Sequence, residues 1–236
     1  MNTLNENSVT DQTKNNKTIL FPDYIIEEQT NFSYNNELYN ICKKIESKGH
    51  KNYAQTSGSD EDSYSYQTIG GYQPDLGKAF TDLKSQEDGI TLEEENIVSK
   101  LQSDIFNKYV NKYVPEQFPR FLEDKDLKLL YKCWFVKYNK NSFQDLHTHG
   151  SRLFTMVYFV KVPKVLNLIG KKPNTFEGSL VISNTKHDPF GLKTIKVTPE
   201  EGKIVIFPAD YPHYVMPMFS DEDRVVIVED IYLKQD

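Results

Sequence analysis

Two histidines stand two residues apart in Phe143-Gln144-Asp145-Leu146-His147-Thr148-His149. Side chains at i and i+2 of an extended strand leave on the same face, so His147 and His149 can aim at one point. A third, His213, follows in Phe207-Pro208-Ala209-Asp210-Tyr211-Pro212-His213. Three imidazoles brought together from separate strands would form a facial set on a metal ion, with coordination positions open for substrate and oxygen. Imidazole suits iron, zinc, copper and nickel, so the ligand types leave the metal undecided. An isolated HxH is also common, and two solvent-facing histidines beside a turn would give the same letters. His50 and His187 have no partner nearby in the sequence and read as surface residues.

Arg224 opens the apolar run Arg224-Val225-Val226-Ile227-Val228, eleven residues after His213. Alternation puts Arg224, Val226 and Val228 on one face of a strand. If that face is the core, a guanidinium is aimed inward, which is costly unless a carboxylate meets it in its planar fork. A ligand carboxylate would meet that need. The competing reading turns Arg224 outward or pairs it with Asp221 or Asp223.

The elements that must hold these side chains change character along the chain. Residues 1–20 are polar and Asn-rich and predict a loose tail. Leu38, Ile41, Cys42 and Ile45 share one helical face over 36–48, with Gly49 where a C-terminal cap would sit. Residues 54–75 are rich in Ser, Gly, Asp and Tyr and read as a long loop. A short helix is predicted over 76–85, facing Leu76, Phe80 and Leu83 inward. Thr91 and Glu94 form a capping-box pair, followed by Val98, Leu101, Ile105 and Tyr109 at helical spacing, with Pro115 as the predicted stop. Beyond about residue 128, segments 131–138, 153–162, 179–183, 194–197, 203–207, 212–217 and 224–232 are short, β-branched or aromatic, and separated by turn residues. These are strand signals at the spacing of a sandwich or barrel. The expected architecture is α+β but mainly β: helical support over about 36–115, a β core over about 128–232, and one domain spanning 21–236.

Composition narrows the function. The chain has 236 residues, 38% hydrophobic and 13% aromatic, enough to build a core and too much for a wholly disordered chain. The net charge of −6 is concentrated: residues 56–100 carry ten acidic and three basic side chains. Arg120, Arg152 and Arg224 are the only arginines, and no basic stripe of the kind that follows a phosphate backbone is visible, which disfavours nucleic acid as partner. There is no apolar run long enough to cross a membrane and no basic-then-apolar start of a secretory signal. Two cysteines, Cys42 and Cys133, exclude a disulfide scaffold and a Cys-based zinc site. The expected location is the cytoplasm, and the wealth of Lys and Asn against few Arg hints at an AT-rich, phage-like source.

The order of these motifs resembles the Fe(II)- and 2-oxoglutarate-dependent oxygenases: a strand ending in Tyr138, an H-x-(D/E or H) pair, a later His, then Arg about ten residues on. The match is closer to a subgroup from bacteria and phages with an HxH motif. Its pattern is similar to Phe143-Gln144-Asp145-Leu146-His147-Thr148-His149, to Thr155-Met156-Val157-Tyr158-Phe159-Val160-Lys161-Val162-Pro163, to Phe207-Pro208 with His213-Tyr214-Val215-Met216-Pro217, and to Asp223-Arg224-Val225-Val226. Gln67-Thr68-Ile69-Gly70-Gly71-Tyr72-Gln73 resembles a weaker upstream element of the same group. The resemblance implies a double-stranded β-helix, a jelly-roll or cupin-like barrel with the N-terminal helices packed outside. It implies iron held by His147 and His213, with His149 where most relatives carry Asp or Glu, and dioxygen as co-reactant. It implies that Arg224 takes the far carboxylate of 2-oxoglutarate, with Tyr138 offering a hydroxyl to that cosubstrate. Asp145 lies on the same face by alternation and is an alternative ligand or an acceptor for an imidazole N–H. Val226 replaces a serine of the pattern, a hydroxyl that Thr155 or Tyr158 would have to supply.

The activity so implied is hydroxylation of a protein or peptide side chain or of a small metabolite, near loops 54–75 and 164–178 and the aromatics Tyr211, Tyr214 and Phe219. Two other classes remain: a three-His cupin-type dioxygenase that does not use 2-oxoglutarate, and a non-catalytic metal-binding β-barrel.

Overall fold

The computed structural model describes residues 25–50, 68–117, 127–164, 166, 176–183 and 194–235. The predicted N-terminal tail, His187 and most of loops 54–75 and 164–178 lie outside the described residues. Among the described residues, ten strands form two five-stranded sheets. The first runs β1 (Ile26–Gln29), β8 (Lys203–Pro208), β5 (Phe154–Lys161), β10 (Arg224–Gln235) and β3 (Leu127–Tyr138). The second runs β2 (Thr68–Ile69), β4 (Phe143–His147), β9 (His213–Val215), β6 (Leu180–Ser183) and β7 (Thr194–Val197). Every pairing is antiparallel. The mainly β, double-stranded β-helix expectation holds. So does the β strand set, with β3 and β10 each starting or ending a few residues beyond the apolar run. β1, β2 and β4 lie outside the expected strand segments: β1 reads Ile-Glu-Glu-Gln, with too little apolar alternation to signal a strand.

The strand period sorts the apolar residues into two layers. On β5, Val157 and Phe159 join Val205, Phe207, Val226, Val228, Leu180 and Val215 between the two sheets. Phe154, Met156, Tyr158 and Val160 point the other way, into a second layer shared with the helices. Each such fully buried side chain contributes roughly 1.5–3 kcal/mol. Helix α1 (Asn35–Ser47) buries Leu38, Ile41, Cys42 and Ile45 there and ends before Gly49, whose φ of 68° is the left-handed conformation of a C-terminal cap. Helix α2 (Leu76–Leu83) buries Leu76, Ala79 and Leu83, leaving Phe80 half-buried, and Asp75 caps it by accepting from the N–H of Lys78 at 2.8 Å. Helix α3 (Leu92–Leu101) starts with the foreseen capping box between Thr91 and Glu94.

Two features depart from the sequence reading. A π-helical turn over Gln102–Phe106 separates α3 from α4 (Asn107–Gln117), so Ile105 and Phe106 are both buried where simple helical spacing offers one. Pro115 does not end the helix, which runs on to Gln117. Among the described residues no helix is long and apolar enough to cross a membrane.

Candidate metal and carboxylate site

His147 is the last residue of β4 and pairs in register with His213, the first of β9. His149 sits two residues past the end of β4, fixed by its N–H donating to the carbonyl of Ala209 at 2.7 Å and by Arg152 Nη1 donating to its carbonyl at 2.8 Å. The three rings converge, each offering a ligand atom, and those atoms lie within 4.8 Å of one another. Ring centroids are 5.3 Å apart for His147 and His149, and 4.2 Å for His147 and His213.

The outward nitrogens fix the tautomers. His147 Nδ1 is 2.7 Å from the carbonyl oxygen of Asp145, and His213 Nδ1 is 2.9 Å from that of Tyr211. A carbonyl can only accept, so each Nδ1 carries the proton and each Nε2 presents its lone pair. His149 Nδ1 is 2.6 Å from Asp230 Oδ1, which has the same effect, and its Nε2 is 3.3 Å from His147 Nε2. Burial pushes the His147 pKa down to about 4, with the neighbouring His149 adding to the effect, and holds His213 well below its ordinary value. Neutral imidazoles are the form that binds metals.

Asp145 does not join this group. Strand β4 has a register irregularity between Gln144 and His147, so alternation breaks just where it was used to place Asp145. Gln144 is buried, whereas Asp145 and Leu146 are exposed, and the Asp145 carboxylate accepts from the N–H of Leu146 at 2.7 Å. The carboxylate beside the histidines is Asp230, on β10, which the sequence reading missed. The available signal was parity: Asp230 is six residues after Arg224 and so shares its face.

Arg224 lies inside, only 1% exposed, and lines a cavity between the sheets that also touches His149, His213, Thr155, Tyr138 and Gln144. Its Cζ stands 4.6 Å from the Tyr138 ring centre and 5.0 Å from that of Phe159. Its Nε and Nη1 are buried without a hydrogen-bond partner. The acids that might have met it are engaged elsewhere: Asp221 pairs with Lys140 at 2.9 Å, and Asp223 accepts from the Tyr39 hydroxyl at 2.8 Å. Burial lowers the guanidinium's pKa from its ordinary value, and Tyr138, not a carboxylate, opposes that shift. Tyr138 is buried too. Its hydroxyl donates to Gln144 Oε1 at 2.8 Å, and burial raises its pKa to about 12, so it stays a donor.

The remaining candidates divide. Thr155 lines the cavity, but its hydroxyl donates to Asp230 Oδ1 at 2.7 Å. Tyr158 faces the helical layer instead and donates to Asn35 Oδ1 at 2.6 Å, so the strand's parity removes it from the cavity. Thr68, in the upstream element, pairs in register with Gln144 and is buried. Of the rim aromatics, Tyr211 is buried, Tyr214 half-buried and Phe219 exposed. His50 is not a surface side chain: its ring is 6% exposed and lies 3.2 Å from Asp82.

A protein-family model described as "Putative 2OG-Fe(II) oxygenase" matches residues 132–230. No curated protein matches the chain. Among solved structures, a Pseudomonas putida prolyl-4-hydroxylase is similar at 14% identity and a TM-score of 0.53, over 88% of this chain and 91% of that one. A Trichoplax adhaerens prolyl hydroxylase, solved with a hypoxia inducible factor oxygen degradation domain peptide fragment, gives 14% identity and 0.57, over 88% and 83%. The viral collagen prolyl hydroxylase of Paramecium Bursaria Chlorella virus-1, solved with 2OG, gives 11% and 0.50, over 88% and 95%. At these identities the likeness to the solved structures is one of fold.

Proposed function

We propose, from the match of residues 132–230 to the "Putative 2OG-Fe(II) oxygenase" model, that the chain is a hydroxylase whose iron is held by Nε2 of His147, His149 and His213 and whose 2-oxoglutarate is held by Arg224. The donor set fits the metal: three imidazoles, each with Nδ1 turned to an oxygen acceptor, aim their Nε2 atoms at one point. The observation that carries the cosubstrate assignment is Arg224, buried in the same cavity with two nitrogens lacking a partner. A carboxylate would satisfy both in one bidentate contact. When bound, iron with 2-oxoglutarate and dioxygen supplies the oxidising chemistry that hydroxylates a substrate C–H, leaving succinate and carbon dioxide.

This chain's residues do the positioning. Arg224, stacked on Tyr138 and Phe159, fixes the distal carboxylate. Gln144, already accepting from Tyr138, has an amide N–H₂ to offer the same ligand. Trp134, Val157, Val226 and Val228 line the cavity with apolar surface that excludes water. The substrate is a peptide or protein side chain, or a small metabolite, approaching past half-buried His147. The peptide seen in the similar prolyl hydroxylase favours the first class.

The test is anaerobic titration of the metal-free protein with Fe(II), then with 2-oxoglutarate, following the visible charge-transfer absorption of the iron-chelated keto acid. The band is expected in the wild type, absent in His213→Ala, and in Arg224→Ala reached only at higher 2-oxoglutarate. Fe(II) binding with no band at any 2-oxoglutarate concentration would overturn the cosubstrate assignment.

A further inference from the structure

Asp230 orients His149 but touches neither the metal position nor Arg224, and it is fully buried, with no solvent exposure. A buried carboxylate is costly unless donors and a cation meet it. Here Oδ1 accepts from Thr155 Oγ1 at 2.7 Å and from His149 Nδ1 at 2.6 Å, and Oδ2 lies 3.0 Å from Arg152 Nε. Arg152 thus hydrogen-bonds the His149 carbonyl oxygen and places its charge beside the carboxylate that His149 meets, without a hydrogen bond to Oδ2. Thr155 reaches Asp230 because the two face each other in the register of β5 and β10.

We infer that Asp230 is a positioning residue for the metal: it fixes His149 with Nε2 as the ligand atom and lends the site, through the imidazole, the negative charge that three histidines lack. The inference rests on reading His147, His149 and His213 as the metal ligands. The contrast among the three rings carries it. Among the described residues, His147 and His213 turn Nδ1 to carbonyl oxygens, whereas His149 turns it to a carboxylate. A charged acceptor draws the Nδ1 proton toward itself and makes the opposite nitrogen a stronger donor to a cation. His149 is also the ligand standing where the resembling oxygenases carry Asp or Glu. The charge is therefore moved outward by one imidazole ring and kept.

The test uses Co(II) as the probe, added to the metal-free full chain and followed by its visible d–d absorption. Wild type is expected to bind, and His147→Ala to lose binding. Asp230→Asn keeps the shape and an acceptor but removes the charge. It should bind Co(II) roughly 10- to 100-fold more weakly, with shifted bands, and Asp230→Glu should recover part of the loss. Thermal unfolding of the metal-free variants reports folding separately. A measurement that needs no variant is the imidazole ¹⁵N spectrum of metal-free wild type, in which His149 should carry its proton on Nδ1. A folded Asp230→Asn with wild-type affinity and unshifted bands, or a proton on His149 Nε2, overturns the role of Asp230 and leaves the metal site standing. Wild type that does not bind Co(II), or His147→Ala that binds it equally well, overturns the metal site and this inference together.

Discussion

Gly178 lies against the Arg224 side chain: a Cβ added there would come within 3.0 Å of Arg224 Cδ and 2.6 Å of Met218 Sδ. Gly178 also has a φ of 60°, which L side chains rarely adopt. The glycine therefore gives the arginine room to lie along the cavity. Gly178→Ala should cost about 1–3 kcal/mol of stability through overpacking, and should weaken 2-oxoglutarate several-fold by moving the guanidinium. Thermal unfolding and a cosubstrate titration read the two effects. Unchanged cosubstrate affinity would show that this contact does not set the arginine's position.

Tyr138→Phe keeps the ring beside Arg224 and removes only the hydroxyl that donates to Gln144. The loss of one hydrogen bond is worth about 1 kcal/mol. The variant should bind 2-oxoglutarate roughly fivefold more weakly, with Fe(II) affinity unchanged. Equal affinity for 2-oxoglutarate would remove Tyr138 from the cosubstrate site.

Glu229 is buried on the outer face of β10, where Gln102 of the π-helical turn donates to its Oε2 at 3.0 Å. Burial raises its pKa from 4.5 to about 7. The folded state then holds a proton that the unfolded state has released, so stability should fall as the pH rises from about 4.5 to 7 and level off above. The effect is on the order of 3 kcal/mol. Glu229→Gln should flatten this part of the profile and be more stable than wild type at pH 8. Denaturant unfolding across the pH range checks it, and a variant with the wild-type slope would assign the dependence elsewhere.

Thr91→Ala removes the side-chain half of the capping box at the start of α3, the 3.2 Å bond from the Glu94 N–H to Thr91 Oγ1, and leaves the 2.8 Å bond from the residue 91 N–H to Glu94 Oε2. It should cost about 1 kcal/mol of stability and leave metal and cosubstrate binding untouched. A change in either affinity would mean that α3 is coupled to the cavity.

Much of this was legible because period and parity are strict. The run Arg224-Val225-Val226-Ile227-Val228 announces an inward arginine, and the cavity indeed holds Arg224, Val226 and Val228. Parity also separates Thr155 from Tyr158. Thr155 and Tyr158 are an odd number of residues apart, so one strand cannot turn both to the cavity, and Tyr158 goes to the helices. Asp145 was misplaced for the opposite reason: a single extra residue in β4 breaks the count, and nothing in Gln144-Asp145-Leu146 marks it. Asp230 and His149 are far apart in the chain, and only the pairing of β5 with β10 joins them. The π-helical turn likewise leaves no residue-type signature in Gln102–Phe106.

Arg224 and Asp230 are rungs of one continuous strand, about 20 Å apart at roughly 3.3 Å per residue. That strand is zipped on one flank to β3 from Arg224 to Gln235 and on the other to β5 from Val225 to Ile231. A slip by one residue would turn Val225, Ile227 and Glu229 inward and carry the arginine and the aspartate out together. The same two-sided pairing of β10 therefore sets both the arginine in the cavity and the aspartate behind His149, and neither is turned out alone by a slip of register.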